Sequence, residues 1–141
     1  MCLGNICRSP TAEGVARAMA SFQRLDWHID SAGTGPWHIG SPPDQRMTAT
    51  AAKRGIELYD LRARQVEADD FHRFDYVFAM DRNNLARLQE MRPAGAPANL
   101  QLFLGEGEVP DPYHGGQSGF DHVLDLIESR MQQLFEMVRT A

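Results

Sequence analysis

Hydrophobic positions along the chain recur at two spacings. Val15, Ala16, Met19 and Phe22 repeat at three- and four-residue intervals, which predicts a helix. Its start is written in Ser9-Pro10, with Ser9 as N-cap and Pro10 in the first turn. Trp27–Ser31 (WHIDS) alternates and predicts a strand. A helix over Asp44–Arg54 is closed by Gly55. Tyr76–Met80 (YVFAM) is a short continuous apolar run, the pattern of a parallel strand buried on both faces. Asn83–Met91 predicts a helix that ends before Pro93, and Leu100–Leu104 a further strand. From Phe120 to Val138, residues Phe120, Val123, Leu124, Ile127, Met131, Leu134 and Val138 share one face of an amphipathic helix.

Strands alternating with helices predict an α/β fold in a single domain, with a twisted parallel sheet and helices on both faces. Ligands bind such sheets beyond the carboxyl ends of the strands. Two Gly- and Pro-rich stretches, Ala32–Asp44 (AGTGPWHIGSPPD) and Gly105 to Gly119, follow strands and are expected to converge there.

Composition narrows the function classes. The 141 residues fit one domain with a real core, at 43% hydrophobic and 23% charged content. No apolar run approaches the ~20 residues of a membrane span, and Met1 leads directly into a polar loop unlike a signal peptide. The two cysteines, Cys2 and Cys7, are no disulfide framework, so a cytoplasmic protein is expected. A net charge of −5 without a Lys/Arg block excludes a nucleic-acid surface. Any phosphate must then be held by local donors. The five histidines show no metal-ligand clustering, and neither metal nor cofactor is expected.

Those donors are legible in the first nine residues. Cys2, five residues, then Arg8-Ser9 is short enough to wrap around one phosphate. Gly4 is expected to permit backbone geometry closed to other residues. The N–H groups then point inward as an anion nest at a helix N-terminus, and the Arg8 fork suits two phosphoryl oxygens. A free thiol titrates near ~8.5, and such surroundings bring it to roughly 3.5–7.5, leaving Cys2 as the nucleophilic thiolate. Ser9 is placed to donate a hydrogen bond to that sulfur, and Asn5 to brace the loop.

Cys2–Glu13 (CLGNICRSPTAE) closely resembles the signature of the low-molecular-weight protein tyrosine phosphatases. The similarity continues through Asp30-Ser31-Ala32-Gly33-Thr34, Ile39-Gly40-Ser41-Pro42-Pro43-Asp44, Arg64-Gln65, Phe74-Asp75-Tyr76, Met80-Asp81 and Asp111-Pro112-Tyr113. The resemblance implies a four-stranded parallel sheet and hydrolysis of phosphotyrosine through a phosphocysteine intermediate. It implies Cys2 as nucleophile, Arg8 as phosphate ligand and Asp111 as general acid, on a loop stiffened by Pro112. It places Trp37 and Tyr113 as aromatic walls of the cleft and Leu3 and Ile6 on its floor and rim. Ser31 matches a position bonded to Asn5, and Asp81 a family aspartate near the site. Cys7 matches a second loop cysteine that pairs reversibly with the nucleophile in many members; the other reading of Cys7 is a buried structural thiol. For Trp37 the other reading is core packing. Phosphotyrosine proteins, among them a bacterial tyrosine kinase, are the implied partners.

Two departures stand out. Family members carry a short apolar strand ahead of the nucleophile, where this chain has Met1 alone. The expectation is a sheet lacking its first strand, with Trp27–Ser31 and Tyr76–Met80 deprived of a shared neighbour. Either the chain starts late or another segment fills the slot. Many members also place a His in the loop's supporting network where this chain has Leu61, and His72 is not expected to inherit the role. Ile6 argues for phosphotyrosine over the arginine phosphatases of the same fold, which carry Thr there. An arsenate reductase needs further cysteines, and none follows Cys7. A non-catalytic phosphate-binding module is the rival from another class.

Overall fold

The computed structural model describes residues 1–112 and 116–140. Five helices and two strands follow one another along them, three helices coming before the first strand: α1 (Arg8–Phe22), α2 (Gln45–Ala52), α3 (Asp70–Arg73), β1 (Tyr76–Ala79), α4 (Arg82–Met91), β2 (Asn99–Leu102) and α5 (Gln117–Thr140). β1 and β2 pair in parallel, with Tyr76 opposite Asn99 and Ala79 opposite Leu102.

Alternation along β1 divides the interior into two cores. Val77 and Ala79 face one way, into a cluster with Phe71, Leu88, Ala98 and Leu102. Phe78 and Met80 face the other, where Phe103 packs with Val15 and Ala16 of α1 and Leu124, Ile127 and Leu134 of α5. α4 covers both strands on its side, and α5 lies across α1 and α2. The continuous apolar run Tyr76–Met80 is thus read correctly as a strand covered on both faces.

The expected strand Trp27–Ser31 does not form. The cause is the edge it would have joined. A parallel strand bonds alternate residues to opposite sides. Asp75 O and Ala79 O accept from Asn99 and Phe103 of the β2 side, so the even-numbered residues face away. There Met1 contributes one step: its amine donates to Phe78 O, and Met80 N donates to Met1 O at 2.9 Å. Past that step a groove of about 360 Å³ separates β1 from residues 26–31, lined by Ile29, Phe78, Phe103, Met131, Leu134 and Phe135. Trp27–Ser31 therefore borders a groove where a strand would need a hydrogen-bonding neighbour.

Helix ends differ by small amounts. α1 begins at Arg8 with Cys7 as its N-cap and no side-chain cap bond, so Ser9 lies inside the helix and its hydroxyl is free for other use. α2 is capped by Asp44, which accepts from Arg46 N at 2.8 Å and Met47 N at 3.2 Å. Among the described residues no helix is long and apolar enough to cross a membrane.

Ile127 is fully buried where α5 meets the larger core. Ile127→Ala is expected to cost about 2–5 kcal/mol of unfolding free energy, measured by urea titration.

Candidate active site

The Cys2–Arg8 loop is folded by what its carbonyls bind. Cys2 O accepts from Thr34 N at 2.9 Å, Leu3 O from Gly35 N at 2.9 Å and Ile6 O from Asp44 N at 2.6 Å. Cys7 O takes Thr11 N at 3.2 Å and Thr11 Oγ1 at 2.6 Å as α1 begins. Among the described residues, the N–H groups of residues 3–7 have no backbone or side-chain acceptor. Carbonyls bound outside and N–H groups left over are the arrangement of an anion nest.

Glycine matters here for space. Gly4 does not take a positive φ; Asn5 does, at 58°. A Cβ on Gly4 would stand 2.8 Å from His38 Cδ2, and one on Gly33 2.8 Å from Leu3 O and 3.1 Å from Asn5 N. The left-handed turn expected of Gly4 falls one residue later, on a type of residue that tolerates it.

Asn5 is buried and every polar atom of its side chain is used. Oδ1 accepts from Arg64 N at 3.0 Å, while Nδ2 donates to Ser9 Oγ at 2.7 Å and Ser31 Oγ at 3.0 Å. Ser9 Oγ lies 3.0 Å from Cys2 Sγ. Ser31 Oγ donates to Glu13 Oε1 at 2.6 Å, and Glu13 pairs with Arg17 at 2.5 Å. Burial pushes the Glu13 carboxyl above its ordinary range against the pull of Ser31 and Arg17. Leu61, at the position expected to lack the supporting His, is buried in the larger core, and Glu13 closes the network. His72 is exposed on α3.

The Arg8 guanidinium is also buried. Nη1 donates to Asp81 Oδ2 at 2.8 Å and Val109 O at 3.0 Å, and Nη2 lies 3.9 Å from Asp111 Oδ2. Burial lowers the Arg8 pKa, but the Asp81 hydrogen bond and the charges of Cys2, Asp81 and Asp111 more than offset this and raise it. Asp81 has two tasks, since Oδ1 caps α4 through Asn84 N at 2.8 Å.

Cys2 and Cys7 are both buried free thiols. Burial, then the charges of Cys2, Asp44 and Asp111, push the Cys7 thiol far above its ordinary range. Around the loop, Leu3, Trp37 and Ile39 are exposed, Trp37 by 69%, which rules out core packing for that ring. Ile6 is half-buried beside Gly4. Asp111 is more than half exposed and Pro112 buried. Tyr113 lies outside the described residues. Among the described residues no three His, Cys, Asp or Glu side chains are grouped to hold a metal ion.

A family model described as low molecular weight phosphotyrosine protein phosphatase matches residues 1–141. The chain belongs to that family. The low molecular weight phosphotyrosine protein phosphatase of Schizosaccharomyces pombe is 43% identical over 139 residues, covering 91% of this chain and 88% of the yeast protein. Among solved structures, a protein tyrosine phosphatase from Entamoeba histolytica with Hepes in its active site superposes at a TM-score of 0.93. It is 37% identical, over 99% of this chain and 94% of that one. A Drosophila arginine phosphatase superposes at 0.90 with 30% identity, over 97% and 94% of the two chains.

The structure thus brings Cys2, Arg8, Ser9, Asn5, Ser31 and Asp111 of this family member into one site. Sequence reading placed Glu13, Gly33 and Arg64 within matched segments but gave them no role, because they carry no local signal of their contact with the loop and its network. It named Asp81 without its bond to Arg8.

Held as a neutral thiol, Cys7 is expected to resist alkylation. Iodoacetamide at neutral pH should label the peptide ending at Arg8 once, at Cys2, as read by mass spectrometry, and Cys7→Ser should leave that stoichiometry unchanged.

Proposed function

We propose that the chain hydrolyses phosphotyrosine in two steps through a phosphocysteine. Cys2 Sγ attacks phosphorus; the S–P bond forms as the P–O bond to the tyrosyl oxygen breaks, and Asp111 gives that oxygen its proton. Water then attacks the phosphocysteine while Asp111 takes a proton back, and the S–P bond breaks to return phosphate and thiolate. Arg8 holds two phosphoryl oxygens and the N–H groups of residues 3–7 hold the rest. Ser9 donates to the sulfur as it leaves.

The observation that carries this reading is the set of unspent donors. A loop with five N–H groups that find no acceptor among the described residues, a buried guanidinium at its end and a thiol at its start suits a tetrahedral dianion. The exposed rim of Leu3 and Trp37 supports an aryl ester. Half-buried Ile6 supports phosphotyrosine over phosphoarginine, whose guanidinium asks for a polar partner. The likeness to an arginine phosphatase keeps that substrate as the second reading.

Asp111→Asn separates the steps. General acid catalysis is worth roughly 10²–10⁴-fold, and most when the leaving group is basic. Phosphoenzyme formation should fall by that order for phosphotyrosine and by much less for a nitrophenyl ester. A dependence on leaving-group pKa no steeper than in the wild type would remove Asp111 from this role. Including a phosphoarginine peptide in the same series decides between the two substrates.

We also propose that the groove beside β1 is the seat of the family's first strand. Tyr76 and Phe78 present backbone groups to it, and its floor of Phe103, Met131, Leu134 and Phe135 is apolar. Placing five or six apolar residues ahead of Met1 is expected to raise both melting temperature and kcat. An unchanged melting temperature would show that the groove takes no strand.

A further inference from the structure

Resting on the phosphatase reading, one further role follows from the direction of the hydrogen bonds behind the nucleophile. A backbone N–H can only donate, so Arg64 N, 3.0 Å from the Asn5 side chain, requires Oδ1 to face it. Nδ2 then faces Ser9 and Ser31, and it too can only donate. Ser9 Oγ therefore accepts from Asn5 at 2.7 Å, which leaves its hydroxyl hydrogen for Cys2 Sγ at 3.0 Å. Ser31 Oγ accepts at 3.0 Å and passes its own hydrogen to Glu13. One main-chain N–H, 59 residues from Asn5 in sequence, orients every donor up to the sulfur. With the amide turned over, Ser9 would give its hydrogen to Asn5 Oδ1, and the sulfur would lose its donor.

What holds that N–H is a clamp on the same residue. The Arg64 guanidinium meets Asp70 in a fork, Nη1 to Oδ2 at 2.9 Å and Nη2 to Oδ1 at 3.2 Å, and its Nε reaches Asp30 at 3.0 Å. Asp70 has no exposed side-chain surface and also accepts from Glu67 N at 2.8 Å and from Arg73. Burial raises the Asp70 pKa, but its hydrogen bonds from Arg64, Glu67 and Arg73 more than offset this and lower it, so the carboxylate stays charged in the clamp. On the main chain, Arg64 O accepts from Gly33 N at 2.8 Å, which fixes the segment from the other side. Among the described residues the Asp70 side chain makes its hydrogen bonds and ion pairs with Arg64, Glu67 and Arg73, and none with Cys2, Arg8 or Asp111.

We propose that Asp70, acting through Arg64, is a positioning residue for the nucleophile: the clamp fixes the Asn5 amide and thereby keeps the Ser9 hydroxyl aimed at Cys2 Sγ. Neither residue touches substrate. Their effect is on the direction of a single hydrogen bond to the sulfur, the kind of bond whose loss is felt most when the acceptor is charged.

The test is the pH dependence of Cys2 alkylation in wild type, Asp70→Asn, Ser9→Ala and the double variant, with kcat followed alongside. Asp70→Asn should move the profile to higher pH and lower kcat about tenfold, the scale of one hydrogen bond to a charged group. KM should move little, because Arg8 and the loop N–H groups are untouched. In the Ser9→Ala background the same substitution should move the profile no further, since its route is already cut. A shift that adds in full to that of Ser9→Ala, or no shift in folded Asp70→Asn, overturns the proposal. Should Asp70→Asn fail to fold, Arg64→Lys keeps a cation against Asp70 while losing the fork, and the same pair of outcomes applies. Alkylation needs no turnover. A wild type that labels at Cys2 but hydrolyses no phosphotyrosine would refute the functional reading and leave this one standing on its own result.

Discussion

A loop that offers its N–H groups to an anion must turn its carbonyls outward, and outward here means into the protein. Buried carbonyls need donors. The segment from Gly33 to Asp44 supplies them to Cys2, Leu3 and Ile6, and Thr11 supplies two to Cys7. Much of the surrounding structure serves that demand. Gly33 has to be a glycine because its backbone lies against the loop's own, and the stretch that looked like a loose Gly/Pro connection is the loop's outer wall. Trp37 and Ile39 stand at the rim because the residues on either side of them are tied down.

Charge is handled in the same way, by pairing from beneath. Arg8 is buried, and a buried guanidinium without a partner costs several kcal/mol. Asp81 and Val109 O both meet it on one nitrogen, Nη1. Asp81 is itself fixed because its second oxygen caps α4, so one carboxylate ties the loop to the start of α4. The cation is thus held before any ligand arrives, which lowers the ordering cost of binding one.

How much of this the sequence discloses depends on the reach of each interaction. Cys2, Arg8 and Ser9 are close in sequence, and their chemistry is plain from spacing alone. The strand Tyr76–Met80 is plain because being covered on both faces leaves a continuous apolar run. Trp27–Ser31 misleads because alternation records which faces are buried and says nothing about whether an edge is present to bond. Gly4 misleads for a related reason: its role is to leave room for His38, a residue far away in sequence, while the φ it was expected to adopt belongs to Asn5. Ser9 reads as a cap and is a first-turn hydroxyl serving Cys2. Arg64, Asp70 and Glu13 are ordinary charged residues on paper. Only the fold reveals that Arg64 and Glu13 serve the loop's network and that Asp70 holds Arg64, while Leu61 is buried in the larger core.

The ties of Arg8 also set when the site can exist. Its partners lie 73 and 101 residues further along the chain, at Asp81 and Val109. A ribosome adding about 5–20 residues per second delivers the second of these roughly 5–20 s after Arg8 itself. During that interval the cysteine, the arginine and the first helix are already made, but the contacts that gather them are not. Such long-range closure slows folding relative to a local helix pair. The loop that carries the nucleophile is therefore made before the residues that close the site around it.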